Sequence, residues 1–221
     1  MGEKNYSLKW KMNKNFVIMM TGYTASGKST TARTISKCLG TKIYHSAIIR
    51  KELGFDFSEE DAKNDFFDLT SQKRTEMDKK VYGEMLKKLE LSLSKNENVV
   101  LDAGHFFQWQ RENISQVLNK FDCELFIVQT VCPEKEIIRR LKNRKNNFSK
   151  SALNETPSIK AYFSSKEVMI NPEVDEKSKN KTFIICFNTL SGEITTENNS
   201  KNENLSKIIG VLNENNKIRR S

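Results

Sequence analysis

Residues 16–30, Phe16-Val-Ile-Met-Met-Thr-Gly-Tyr-Thr-Ala-Ser-Gly-Lys-Ser-Thr30, decide the fold. The apolar run Phe16 to Met20 is what a short strand buried on both faces requires. Gly22 through Ser29 then fit G-x-x-x-x-G-K-S. From Thr30 to Leu39 the apolar positions Ala32, Ile35 and Leu39 recur at helical spacing, and Gly40 supplies a stop. A strand, a glycine-bounded loop and a helix predict a phosphate cradle. Its binding residues are Gly22, Tyr23, Thr24, Ala25, Ser26, Gly27, Lys28, Ser29 and Thr30, whose backbone N–H groups and positive helix end face an anion. In such a motif Lys28 reaches the β- and γ-phosphates, and the Ser29 hydroxyl sits on Mg²⁺. The chain is therefore expected to bind a nucleoside triphosphate, ATP with Mg²⁺.

Outward from this stretch, strand and helix patterns alternate. Thr41–Tyr44 reads as a strand and Ser46–Leu53 as a helix, and Ser58-Glu-Glu-Asp61 opens another with an N-cap and an acidic first turn. A long helix is predicted over Gln72–Ser94, with Met77, Val81, Met85, Leu86, Leu89 and Leu93 as its core stripe. Asn98–Asp102, Leu125–Val131 and Phe183–Phe187 read as buried strands, and Glu112–Leu118, Pro133–Lys145, Ile159–Val168 and Leu205–Leu212 as helices. Asn146–Ser158 reads as a mobile loop, and 171–181 and 191–204 as exposed loops. Alternation of this kind predicts an α/β protein with a parallel sheet covered on both faces. Ligands bind such sheets at the carboxyl ends of the strands. The phosphate loop, the turn at His45 and the segment Asp102-Ala-Gly-His105 all fall there.

At 221 residues the chain has length for one well-filled core. It divides into a basic N-terminal tail (1–14), one domain (15–215, with a lid at about 139–158) and a basic C-terminal tail (216–221). No apolar run approaches the ~20 residues of a membrane span, and no apolar leader stretch follows Met1, so a cytoplasmic protein with no membrane partner is expected. Four cysteines without a C-x-x-C pair read as thiols in a reducing compartment. The formal charge of +9 is concentrated, with seven basic residues between 133 and 150. Basic tails are commonly just solvated, but this cluster sits where a phosphate-handling element is expected.

Asp102 closes an apolar strand as a Walker B aspartate does, placed to hold Mg²⁺ or to accept a proton from the acceptor. Arg140 and Arg144 are four apart and share a helical face, fit to neutralise a migrating phosphoryl group from a lid that excludes water. No Asn-Lys-x-Asp occurs, which disfavours guanine recognition of the GTPase kind. Leu190-Ser-Gly-Glu193 lies too far downstream of Asp102 to be the signature of a transporter ATPase.

With these residues the chain resembles the small P-loop kinases, the group of polynucleotide 5′-kinases, zeta toxins, chloramphenicol phosphotransferase and gluconate kinase. The resemblance runs from about Phe16 to Phe187. It rests on the phosphate loop, Ile48-Ile-Arg-Lys-Glu-Leu-Gly54, Val100-Leu-Asp-Ala-Gly-His105 and Cys132-Pro-Glu-Lys-Glu-Ile-Ile-Arg-Arg-Leu-Lys-Asn-Arg144. It implies a three-layer P-loop NTPase fold with a five-stranded parallel sheet of order 2-3-1-4-5, a lid carrying Arg140 and Arg144, and an acceptor site near Arg50. The sequence departs from the group at one place. Relatives that phosphorylate hydroxyls carry an aspartate base three residues before the arginine matching Arg50, and here that position is Ala47. His45, His105 and Asp102 are the candidate replacements, whereas a phosphate acceptor needs no base. The expectation is an ATP- and Mg²⁺-dependent phosphotransferase acting on a nucleotide or nucleic-acid 5′ end. A nucleoside monophosphate or a small-molecule hydroxyl is the alternative acceptor, and a non-catalytic ATP-dependent RNA-binding protein is the alternative of another class.

Overall fold

The computed structural model describes residues 15–55, 69–146, 159–173, 181–197 and 201–220, with the side chains of 144–146 and 215–220 outside that description. In chain order the elements are β1 (Phe16–Thr21), α1 (Lys28–Leu39), β2 (Lys42–His45), α2 (Ser46–Glu52), α3 (Gln72–Leu93), β3 (Val99–Asp102) and α4 (Gln108–Leu118). Then follow β4 (Glu124–Val131), α5 (Glu134–Asn146), α6 (Ile159–Val168), β5 (Thr182–Asn188), β6 (Ile194–Glu197) and α7 (Glu203–Arg220). The expected helix at Ser58 and the lid loop after Asn146 lie outside the described residues.

The strands form one sheet of order β2-β3-β1-β4-β5-β6. The first five are parallel, in the expected order 2-3-1-4-5. The sixth is a correction: β6 runs antiparallel to β5 where an exposed loop was expected. Its residues Ile-Thr-Thr-Glu alternate between half-buried and exposed, so no apolar run marks it. The preceding turn is built by Asn188, whose side chain accepts from the N–H groups of Leu190 and Ser191. Leu190-Ser-Gly-Glu193 is thus a hairpin connection, closed by the Gly192 N–H donating to the Asn188 carbonyl at 2.8 Å.

β1 is wholly buried, and its alternate residues feed two cores. Val17 and Met19 face α3 and α4, packing with Met85, Leu89 and Ile114. Phe16, Ile18 and Met20 face α1 and α7, packing with Ile35, Ile208 and Val211. A third, smaller cluster joins α5 and α6 to the turn after β1 through Ala25, Ile137, Leu141 and Tyr162. Because β1 lies between β3 and β4, its carboxyl end is where the strand order reverses, and the phosphate loop leaves the sheet there.

Candidate functional site

The loop after β1 turns through three left-handed residues, Gly22 (φ 129°), Ala25 (φ 61°) and Gly27 (φ 107°). Left-handed and right-handed residues in succession turn backbone N–H groups into one concavity, the arrangement that receives an anion. Gly22 is there for room as well as conformation, since a β-carbon would fall 2.3 Å from the Thr130 carbonyl oxygen. Ala25 has no such licence and is held in place by the α5–α6 cluster. Hydroxyls fasten the loop from below. Thr130 Oγ1 donates to the Thr21 carbonyl at 3.2 Å and lies 2.7 Å from Ser26 Oγ. Thr189 Oγ1 donates to the Ser26 carbonyl.

Lys28 opens α1, and its ammonium donates to the carbonyls of Gly22 and Tyr23 at 2.7 Å each. Ser29 follows, and its hydroxyl is hydrogen-bonded to the Asp102 carboxylate. The register of β2 on β3 sets His45 opposite Asp102, and His45 Nδ1 lies 2.6 Å from Asp102 Oδ2. Burial would raise the Asp102 pKa, but the hydrogen bonds from His45 and Ser29, with the Lys28 charge nearby, hold it below the usual carboxylate value. An ionised carboxylate only accepts, so His45 donates through Nδ1–H. Lys28, Ser29, Asp102 and His45 are thereby gathered at the ends of three adjacent strands. A serine hydroxyl beside an ionised carboxylate is a pair of hard oxygen donors of the kind Mg²⁺ takes, and the loop with Lys28 suits a polyphosphate.

Other expected site residues are placed elsewhere. Arg140 lies against the carbonyl side of the loop: Nη1 donates to the Ala25 and Ser26 carbonyls at 3.3 Å and to Thr189 Oγ1 at 3.1 Å, and Nε to Glu136 at 2.8 Å. In this arrangement it braces the loop from outside. Neighbouring Arg139 holds Glu136 in a two-pronged ion pair, and that guanidinium together with Arg140 brings the Glu136 pKa down to about 2 against the opposing pull of burial. The Arg144 side chain lies outside the described residues. Arg50 is 7% exposed on α2, close enough to Tyr82 for its charge to be felt there. His105 is fully buried, three residues past Asp102, with Nδ1 donating to the Met20 carbonyl at 2.7 Å. Burial brings its pKa down to about 4, so the ring is neutral. Tyr23 and Thr24 are half-buried in the loop, and Thr30 is exposed on α1.

Sequence reasoning passed over Thr130 and Thr189, which brace the loop from 104 and 163 residues away, and no local pattern marks them. It also passed over Phe106, whose ring centroid lies 5.8 Å from Lys28 Nζ. The signal for Phe106 was its position, four residues beyond the strand-end aspartate.

Residues 17–162 match the AAA domain family, and since that span is more than half of the chain, the protein belongs to it. Its fold is that of the small P-loop kinases. A sugar kinase from Janibacter sp. superposes with a TM-score of 0.54 at 10% identity, over 78% of this chain and 85% of that one. Kti12 from Chaetomium thermophilum, solved with ADP-AlF3, gives 0.54 at 13% identity, over 91% and 97%. The APS kinase CysC of Mycobacterium tuberculosis, solved with AMPPNP and APS, gives 0.50 at 14% identity, over 95% and 100%. Likeness at these identities is one of fold. No curated protein matches the sequence.

Proposed function

We propose that the protein is an ATP- and Mg²⁺-dependent phosphotransferase whose acceptor is a nucleotide or a nucleic-acid 5′ end. The observation that carries the reading is the convergence of Lys28, Ser29 and Asp102 at the carboxyl ends of adjacent strands, with His45 bonded to Asp102. Lys28 and the loop amides would hold the β- and γ-phosphates, and Ser29 and Asp102 the metal. Mg²⁺ supplies charge neutralisation between the β- and γ-phosphates. Asp102 is preset for this role because His45 and Ser29 fix its orientation and keep it ionised. Arg50 and His45, on adjoining elements beyond Asp102, would border the acceptor. Closure of the lid would bring Arg144 to the migrating phosphoryl group and turn Arg140 inward from the loop.

The net charge of +9 supports a polyanionic acceptor. Ala47, in place of a base, favours a second reading in which the acceptor is itself a phosphate, as on a nucleoside monophosphate. The test is transfer from γ-labelled ATP with Mg²⁺ to 5′-hydroxyl RNA and DNA, nucleoside monophosphates, nucleosides and metabolites. Lys28→Ala serves as control and is expected to lower transfer by about 10²- to 10³-fold, the usual cost of one charge-stabilising donor. Label on an oligonucleotide end supports the leading reading, and label on a monophosphate the second. ATP binding with no labelled acceptor would replace both with an ATP-dependent binding protein.

A further inference from the structure

The turn between β3 and α4 is fastened at each residue from Gly104 to Phe107. Thr21 Oγ1 donates to the Gly104 carbonyl at 2.9 Å. The His105 N–H reaches the Tyr82 hydroxyl at 3.3 Å, and its ring holds the Met20 carbonyl. Arg111 Nη1 donates to the carbonyls of His105 (2.8 Å) and Phe106 (3.4 Å), and the Ile170 N–H donates to the Phe106 carbonyl at 3.0 Å. His105 itself is left-handed at φ 46°, a conformation that costs a non-glycine residue on the order of 1 kcal/mol or more, although histidine is among the residues that adopt it most readily. Strain that is over-determined in this way points from the outlier to a function.

What the turn presents is the ring of Phe106. The ring covers Gly104 so closely that a β-carbon there would lie 2.5 Å from it. The Lys28 ammonium lies over the same ring, 5.8 Å from its centroid. Phe106 is half-buried and, among the described residues, belongs to none of the three apolar cores. A large apolar side chain outside those cores is therefore held beside Lys28, the cation that the phosphotransferase reading assigns to the γ-phosphate.

We propose that Phe106 is the water-excluding wall of the phosphoryl-transfer position, set by the strained turn at His105. The inference rests on the phosphotransferase reading and deepens it. In a kinase, water competes with the acceptor. It adds to the γ-phosphorus as the bridging P–O bond to ADP breaks, releases its proton to solvent, and wastes the ATP as ADP and inorganic phosphate. An apolar ring at that point denies water a place beside the γ-phosphate, so that hydrolysis is slowed without a demand on nucleotide affinity. The acceptor atom then enters along a path that is not lined by solvent.

The experiment compares Phe106→Ala and Phe106→Leu in the full chain, with MgATP and no acceptor. The alanine variant is expected to hydrolyse ATP several-fold faster than wild type while binding a non-hydrolysable ATP analogue with near wild-type affinity. Leucine keeps the bulk and should stay near the wild-type rate. Unchanged hydrolysis in the alanine variant would overturn the proposal. A second measurement needs no turnover. In Phe106→Trp, the added tryptophan should gain protection from acrylamide quenching with the Mg²⁺-bound analogue and clearly less with MgADP, because only the analogue carries a γ-phosphate. Equal protection by both would place the ring away from the γ-phosphate and sink the idea. Should wild type label no acceptor, the phosphotransferase reading fails, and the tryptophan result alone decides whether the ring sits at the γ-phosphate.

Discussion

Two residues three positions apart, Asp102 and His105, are held by one turn in opposite charge states relative to their burial, the first ionised and the second neutral. Asp102 is buried at the end of β3 and held ionised by His45 and Ser29. Asp102→Asn keeps the shape and loses the charge, so the Mg²⁺ concentration needed for half-maximal transfer should rise about 10- to 100-fold. An unchanged Mg²⁺ titration would remove Asp102 from the metal site. His105 is buried and neutral, its folded pKa of about 4 lying below the ordinary value of 6.5. A depressed histidine pKa means that the unfolded chain takes up the proton first as pH falls. The contribution is complete above pH 6.5 and drains away between 6.5 and 4, with about 2 kcal/mol lost between pH 7 and pH 5. Asparagine tolerates the left-handed backbone and supplies an N–H in place of Nδ1–H. Urea unfolding of His105→Asn should therefore show a shallower acid decline than wild type, and an identical decline would mean that His105 is not the titrating group.

At the scale of elements, the loop after β1 is where sequence and structure agree most closely, because its geometry is local. Gly22 is its steric centre, with φ 129° and the Thr130 carbonyl in the space a β-carbon needs. Gly22→Ala should reduce both ATP-analogue affinity and stability by more than the ~1–2 kcal/mol of a left-handed alanine alone. Gly40 is the control: it is left-handed (φ 66°) with open space around it, so Gly40→Ala should cost only about that conformational term and leave nucleotide affinity intact. Equal effects at the two sites would deny the close approach. Elements whose signal is not local were less legible. The first turn of α4, Gln108-Trp-Gln-Arg111, lacks apolar spacing, and the Gln110 side chain marks its start by accepting the Phe107 N–H at 3.1 Å. The last helix reads as Leu205–Leu212 from its apolar stripe, yet it runs from Glu203 to Arg220. β6 exists only as the partner of β5. The arginine pair four apart on α5 was legible as a shared face, but the sequence held nothing to say that Arg140 would grip the loop's carbonyls.

For the whole molecule the question is whether a charge of +9 is a surface for nucleic acid or only a solvated excess. The structure narrows the source of that charge. On α5, Arg139 is taken up by Glu136, and Arg140 by Glu136 and the phosphate loop. On α6, Lys166 is paired with Glu134. Lys135 and Lys142 on α5 remain exposed, together with Lys37 and Arg33 on α1. Exposed ion pairs contribute little and are weakened by salt, so pairing of this kind lowers the field of a surface more than it stabilises the fold. If a nucleic-acid end is the acceptor, affinity for a single strand should fall with salt by a log–log slope of about −0.7 for each phosphate contacted. Charge reversal at Lys135 and Lys142 should flatten that slope by about one contact each while leaving ATP-analogue binding unchanged, since both side chains are exposed on α5. A slope near zero in the wild-type chain would remove nucleic acid from the acceptors and leave a mononucleotide, whose few charges meet the cleft rather than the surface.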